Sequence, residues 1–72
     1  MPDLRQVSGG QAIRALERLG FRQVRQRGSH VVMRKEGAGC VVPLHPVLAI
    51  GTLRGFLKQA QVSADEFARE VS

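Results

Sequence analysis

Phe21-Arg22-Gln23-Val24-Arg25-Gln26-Arg27-Gly28-Ser29-His30-Val31-Val32-Met33-Arg34-Lys35 is the stretch on which the fold turns. Phe21 to Arg27 and His30 to Lys35 read as two strands, the first unusually polar. Between them Gly28-Ser29 has its glycine first, as a two-residue type II′ hairpin turn requires. The turn sets a register: Arg27 opposite His30, Arg25 opposite Val32, Gln23 opposite Arg34. Directly opposed residues share a sheet face. The other face carries Val24 opposite Met33 and Gln26 opposite Val31, and being more apolar it is expected to meet the core. His30 is then expected on the open face among Arg25, Arg27 and Arg34. A one-residue slip would drive those Arg side chains inward, so the register should be well determined.

The flanking segments complete an order α-β-β-β-α-α. Ser8-Gly9-Gly10-Gln11 is a capping-box pattern, and Ala12, Ile13, Leu16 and Leu19 follow at helical spacing. The first helix is expected from Gly9 to Leu19, stopped by Gly20, with Arg14, Glu17 and Arg18 outward. After the hairpin, Glu36-Gly37-Ala38-Gly39 reads as a looser turn. Cys40 to Pro43 is a short third strand that Pro43 ends or places at an edge. Leu44 to Ile50 is a connection. Leu53, Phe56, Leu57 and Ala60 mark an amphipathic helix from about Gly51 to Ala60. Ser63-Ala64-Asp65-Glu66 is a second capping box, opening a helix with Ala64, Phe67, Ala68 and Val71 as its apolar positions. The expected fold is α+β: a three-stranded antiparallel sheet with helices packed on one face.

Composition limits the alternatives. Seventy-two residues allow one domain, expected to span 1–72, with a thin core. Cys40 is the only cysteine, which excludes an intrachain disulfide; it reads as a small strand residue. One Cys and two His, at 30, 40 and 45, do not match a structural zinc spacing, and no metal or cofactor is expected. Met1-Pro2-Asp3-Leu4-Arg5 lacks the apolar core of a signal peptide, and no apolar run is long enough to cross a bilayer. A reduced, cytoplasmic setting is expected.

Charge points to the partner. Eleven Lys and Arg face six Asp and Glu, and nine of the eleven are Arg. The guanidinium fork suits phosphate and base stacking better than the point charge of Lys. With a pI of about 11.2, nucleic acid is the expected ligand. RNA carries its own nucleophile, the 2′-hydroxyl. An imidazole can exchange a proton near neutral pH, and Arg side chains can stabilise charge developing at phosphorus. His30 among arginines therefore suits two roles, metal-free RNA cleavage and plain phosphate contact, the second being the commoner one for a lone His beside a turn. RNA contact is expected from Arg25, Arg27, Gly28, Ser29, Arg34 and Lys35, with Arg54 and Lys58, which share a face of the second amphipathic helix, as further candidates. His45, fixed by Pro46 in an extended or turn conformation, has no settled role. Glu17, Glu36, Asp65 and Glu66 show no paired-carboxylate spacing and read as caps or surface.

Three runs together carry a family resemblance: Arg25-Gln26-Arg27-Gly28-Ser29-His30, Val41-Val42-Pro43-Leu44-His45-Pro46, and Gly51-Thr52-Leu53-Arg54-Gly55-Phe56-Leu57-Lys58-Gln59-Ala60. In this order they closely resemble the HicA family, small toxins of bacterial and archaeal toxin–antitoxin pairs. The resemblance extends from the first helix cap to Ser63-Ala64-Asp65-Glu66-Phe67. It implies a fold like a double-stranded-RNA-binding domain, ribosome-independent cleavage of mRNA, and neutralisation by a HicB antitoxin. It also implies that His30 is the catalytic residue, with Gly28 and Ser29 completing its motif, while His45 matches the His of Val-Pro-x-His. Two departures stand out. Gln61 occupies a position that is Gly in many members, which should leave the helix end less sharply stopped. Aromatic residues are few near the first two strands, so base stacking should be weak. A non-catalytic RNA-binding module and a protein-interaction domain with a basic docking face are the competing functions.

Overall fold

A computed structural model describes residues 4–71; Met1 to Asp3, part of the leader reading, lie outside it. After a 3-10 turn at Leu4–Gln6, the elements are α1 (Gly9–Arg18), β1 (Arg22–Arg27), β2 (His30–Lys35), β3 (Ala38–Pro43), α2 (Ile50–Ala60) and α3 (Ala64–Glu70). The strands form one antiparallel sheet in the order β1-β2-β3. This is the α+β order expected from the sequence. Among the described residues no helix is long and apolar enough to cross a membrane.

Local chemistry explains the helix ends. The Ser8 hydroxyl accepts from the Gln11 N–H at 3.1 Å, and the Ser8 N–H donates to Gln11 Oε1 at 2.9 Å. Ser63 and Glu66 repeat this reciprocal box, both bonds at 3.1 Å. α1 stops at Gly20, which has φ +100°. There the Gly20 N–H bonds Glu17 O and the Phe21 N–H bonds Leu16 O, both at 3.0 Å, the two bonds of a Schellman motif. The Lys35 ammonium adds a bond to Leu19 O at 2.7 Å and lies 5.9 Å from the Phe21 ring centroid.

The end of α2 differs from expectation. Gln61 takes the left-handed conformation at φ 60° and ψ 37°. Its N–H bonds Lys58 O at 3.2 Å, and the Val62 N–H bonds Leu57 O at 3.0 Å. The helix is therefore stopped as sharply as α1. The two bonds hold the backbone there, against a steric cost that Gly would not carry. Gln61→Gly should stabilise the protein by about 1 kcal/mol, raising Tm by roughly 4–8 °C in a domain this small. Thermal melts of the two proteins check this.

The inner face of the sheet and the helices enclose one core. Leu16, Met33, Leu48, Leu53, Phe67, Val7, Val31 and Val42 are fully buried, and Phe56 meets Phe67 edge-to-face at 6.5 Å. Cys40 is buried in the same cluster. Burial lifts its thiol pKa to about 11. The raised value means that the unfolded chain loses this proton first, so the contribution to stability is complete below about pH 9 and falls as pH rises towards 11. A thiol reagent should leave Cys40 unmodified in the native protein at neutral pH and label it on denaturation.

β1 contributes nothing to this core, since all six of its residues are exposed. Its register departs from expectation in one place. Arg27↔His30, Gln26↔Val31 and Arg25↔Val32 are paired as expected, but a bulge at Val24 then puts Gln23 opposite Met33 and Arg22 opposite Arg34. The expected pairs Val24–Met33 and Gln23–Arg34 do not form, and Val24 is 44 % exposed. With no buried face to anchor it, β1 accommodates an extra residue at no cost in apolar burial. The second hairpin is also tighter than expected. Glu36, at φ 54°, and Gly37 form the turn alone, while Ala38 and Gly39 already pair with Lys35 and Arg34.

Candidate functional site

Alternation from these pairs defines the open face of the sheet. Its rows are Arg27, His30 and Pro43; then Arg25, Val32 and Val41; then Arg22, Arg34 and Gly39. His30 thus sits between Arg27 and Pro43 on the central strand. Its side chain and those of Arg22, Arg25, Arg27 and Arg34 are all exposed. Among the described residues none of these four arginines is paired with a carboxylate. The site is an open cationic surface with one imidazole in it.

The turn that delivers His30 is fixed from several sides. Gly28 has φ +55°, and a side chain there would meet nothing within 4 Å, so backbone conformation rather than space calls for glycine. Gln26 Nε2 donates to Gly28 O at 3.0 Å. The Leu44 N–H donates to Ser29 O at 2.7 Å, the Gly9 N–H to His45 O at 2.9 Å, and the Leu48 N–H to Val7 O at 2.7 Å. The connection after β3 is therefore stitched both to the Gly28-Ser29 turn and to the start of α1. Ser29 and Leu44 are the bonded pair next to His30 and His45, so both histidines stand at this end of the sheet. The His45 side chain is exposed.

Not every candidate joins this cluster. Lys35 is on the opposite face by alternation, and its ammonium is bonded to Leu19 O. Arg54 belongs to the helical layer, lining a hollow with Leu4, Arg5, Leu53, Leu57 and Ala64. Lys58 is exposed one turn further along α2. Gly28, Ser29, Arg25, Arg27 and Arg34 do share the His30 end or face. Arg22 was not among the candidates. Its signal is the spacing of Arg22, Arg25 and Arg27: a step of three in a strand puts residues on one face only if a bulge intervenes. Among the described residues no group of three or more His, Cys, Asp or Glu is set to hold a metal ion.

No curated protein matches the chain. A family model described as the HicA toxin of bacterial toxin–antitoxin systems matches residues 9–62. That span runs from the first residue of α1 through the Schellman bonds that close α2, and includes the whole sheet. It covers well over half of the 72 residues, and the chain therefore belongs to the HicA toxin family.

Proposed function

We propose that this toxin is a metal-independent endoribonuclease that cleaves mRNA with His30 as its catalytic residue and is neutralised by a HicB-type antitoxin. The observation that carries this is the register: the His30 imidazole stands on an open sheet face, directly opposite Arg27, and that face also carries Arg25, Arg34 and Arg22, all unpaired with a carboxylate among the described residues. RNA supplies the nucleophile. The 2′-oxygen bonds to phosphorus as His30 takes its proton, and the bond from phosphorus to the 5′-oxygen breaks as that oxygen takes a proton from solvent water, to which the imidazolium then returns its own. Arg25 and Arg27 stabilise the charge that builds on the phosphoryl oxygens. The products are a 2′,3′-cyclic phosphate and a 5′-hydroxyl. An antitoxin with an acidic surface would cover the same face, blocking RNA by bulk and by charge.

The second reading is a non-catalytic RNA-binding module. It is favoured by the openness of the face, since no walls exclude water from His30. Incubating the pure chain in EDTA with end-labelled RNA and with DNA of the same sequence decides between them. Cut RNA and intact DNA are expected. RNA that is retarded but uncut across the pH range would establish the module instead.

A further inference from the structure

The bulge at Val24 has a consequence for ligand binding. In an unbroken strand Arg22 would lie on the same face as Val24 and Gln26, away from His30. The extra residue brings it to the open face, directly opposite Arg34. Like charges directly opposed across a ladder are unfavourable, and among the described residues no carboxylate is paired with either guanidinium. Gly39 completes the row on β3. A Cβ there would come within 3.2 Å of Arg34 Cγ and 2.9 Å of Met33 O, so glycine leaves room for the Arg34 stem to lie across the sheet. The two arginines border a hollow of about 480 Å³ that Gly20, Lys35 and Glu36 also line. The Lys35 ammonium is held by Leu19 O, and Glu36 is the acidic residue of the lining.

We propose that Arg22 and Arg34 form a second phosphate-binding subsite, which holds an RNA backbone phosphate a few nucleotides from the one at His30. The inference rests on RNA being the ligand. Arg34 lies four residues from His30 along β2, about 13 Å at strand spacing. Arg25 stands in the row between them. The strand of RNA therefore runs along the β1–β2 hairpin, from the Gly28-Ser29 turn to the Arg22–Arg34 pair. An anion there relieves the repulsion between the two guanidinium groups, and their forks suit phosphate oxygens.

The test is the affinity of a single-stranded RNA oligonucleotide with 2′-O-methyl sugars, which lacks the nucleophile and stays intact. Fluorescence anisotropy over a salt series would compare wild type, Arg22→Ala, Arg34→Ala, the double variant, and Arg69→Ala on α3 as control. Each of the first two substitutions should weaken binding roughly three- to tenfold, and loss of both should reduce the salt slope by about 0.7, the share of one phosphate on a single strand. The double variant should lose less than the product of the single losses, because both groups hold one phosphate. Arg69→Ala should bind as wild type. Arg22→Ala should melt at or above the wild-type temperature, which separates lost contact from lost fold. An Arg22→Ala protein that binds as the control does would overturn the subsite, including the case in which Arg22 serves an acidic protein partner instead. A chain that cuts no RNA yet loses affinity through Arg22 would overturn the nuclease reading and leave the subsite standing. A chain that cuts RNA with affinity indifferent to Arg22 would do the reverse.

Discussion

His30→Ala should lower RNA cleavage by roughly 10²–10⁴-fold, the range of a general acid–base contribution, while leaving the melting temperature unchanged. The second half of that expectation follows from the structure. The side chain is exposed, and none of the hydrogen bonds that fix the turn uses it. Surface substitutions of this kind shift stability by no more than about 0.5 kcal/mol. Activity and folding are therefore separable at this position. His30→Gln sharpens the test, because an amide keeps hydrogen bonding but cannot exchange a proton near neutral pH. It should bind RNA as wild type does and cut no faster than His30→Ala. A glutamine variant with near wild-type turnover would remove His30 from proton transfer and reduce it to a contact.

The largest expected effect on stability is at Gly9. A Cβ built there would overlap Pro43 O and stand 2.8 Å from Leu44 Cα and 3.0 Å from the Pro43 carbonyl carbon. All three are backbone atoms, so no side-chain rotation relieves the clash. Either α1 must lift from the end of β3, or the connection must move and break the bonds from Gly9 to His45 and from Leu44 to Ser29. Overpacking of this type costs about 1–3 kcal/mol and sometimes more. A domain of this length has a total stability of roughly 4–11 kcal/mol, so Gly9→Ala should lower Tm by roughly 4–24 °C. Gly10 is the internal control. A Cβ there would have only Ser8 Oγ near it, at 3.9 Å, and Gly10→Ala should stabilise by about 0.4–1 kcal/mol. Opposite signs from adjacent glycines, read in paired denaturant titrations, would establish that packing against Pro43 and Leu44 decides the matter. Equal and small effects would mean that α1 is free to shift at this point.

The parts of this fold that were legible are those written in local chemistry. Both capping boxes, the stop at Gly20 and the turn at Gly28 are chosen by residues whose side chains, or lack of them, act within a few positions. The pairs from Arg27↔His30 to Arg25↔Val32 followed from the turn alone. What escaped was set by the surroundings. Gln61 and Glu36 both adopt positive φ without being glycine. At Gln61 the helix-closing bonds enforce it, and a residue type cannot announce that. Gly39 read as part of a turn, but it is a strand residue whose missing side chain accommodates Arg34. The bulge at Val24 escaped because β1 buries nothing, so its sequence carries no apolar alternation to fix the phase. The same bulge puts Arg22 on the open face, where a regular strand would not have put it. Lys35, expected to contact RNA, lies on the other face by alternation from His30. Arg54 and Lys58 share a helix face, but that helix belongs to the layer behind the sheet.

The chemistry of the RNA ends left by the pure chain tests the central claim most directly. If the 2′-hydroxyl attacks and His30 exchanges its proton, the upstream product must carry a 2′,3′-cyclic phosphate and the downstream product a 5′-hydroxyl. Both should form in EDTA, and both should vanish in His30→Ala. A 3′-hydroxyl paired with a 5′-phosphate, or cyclic ends undiminished in His30→Ala, would contradict the account.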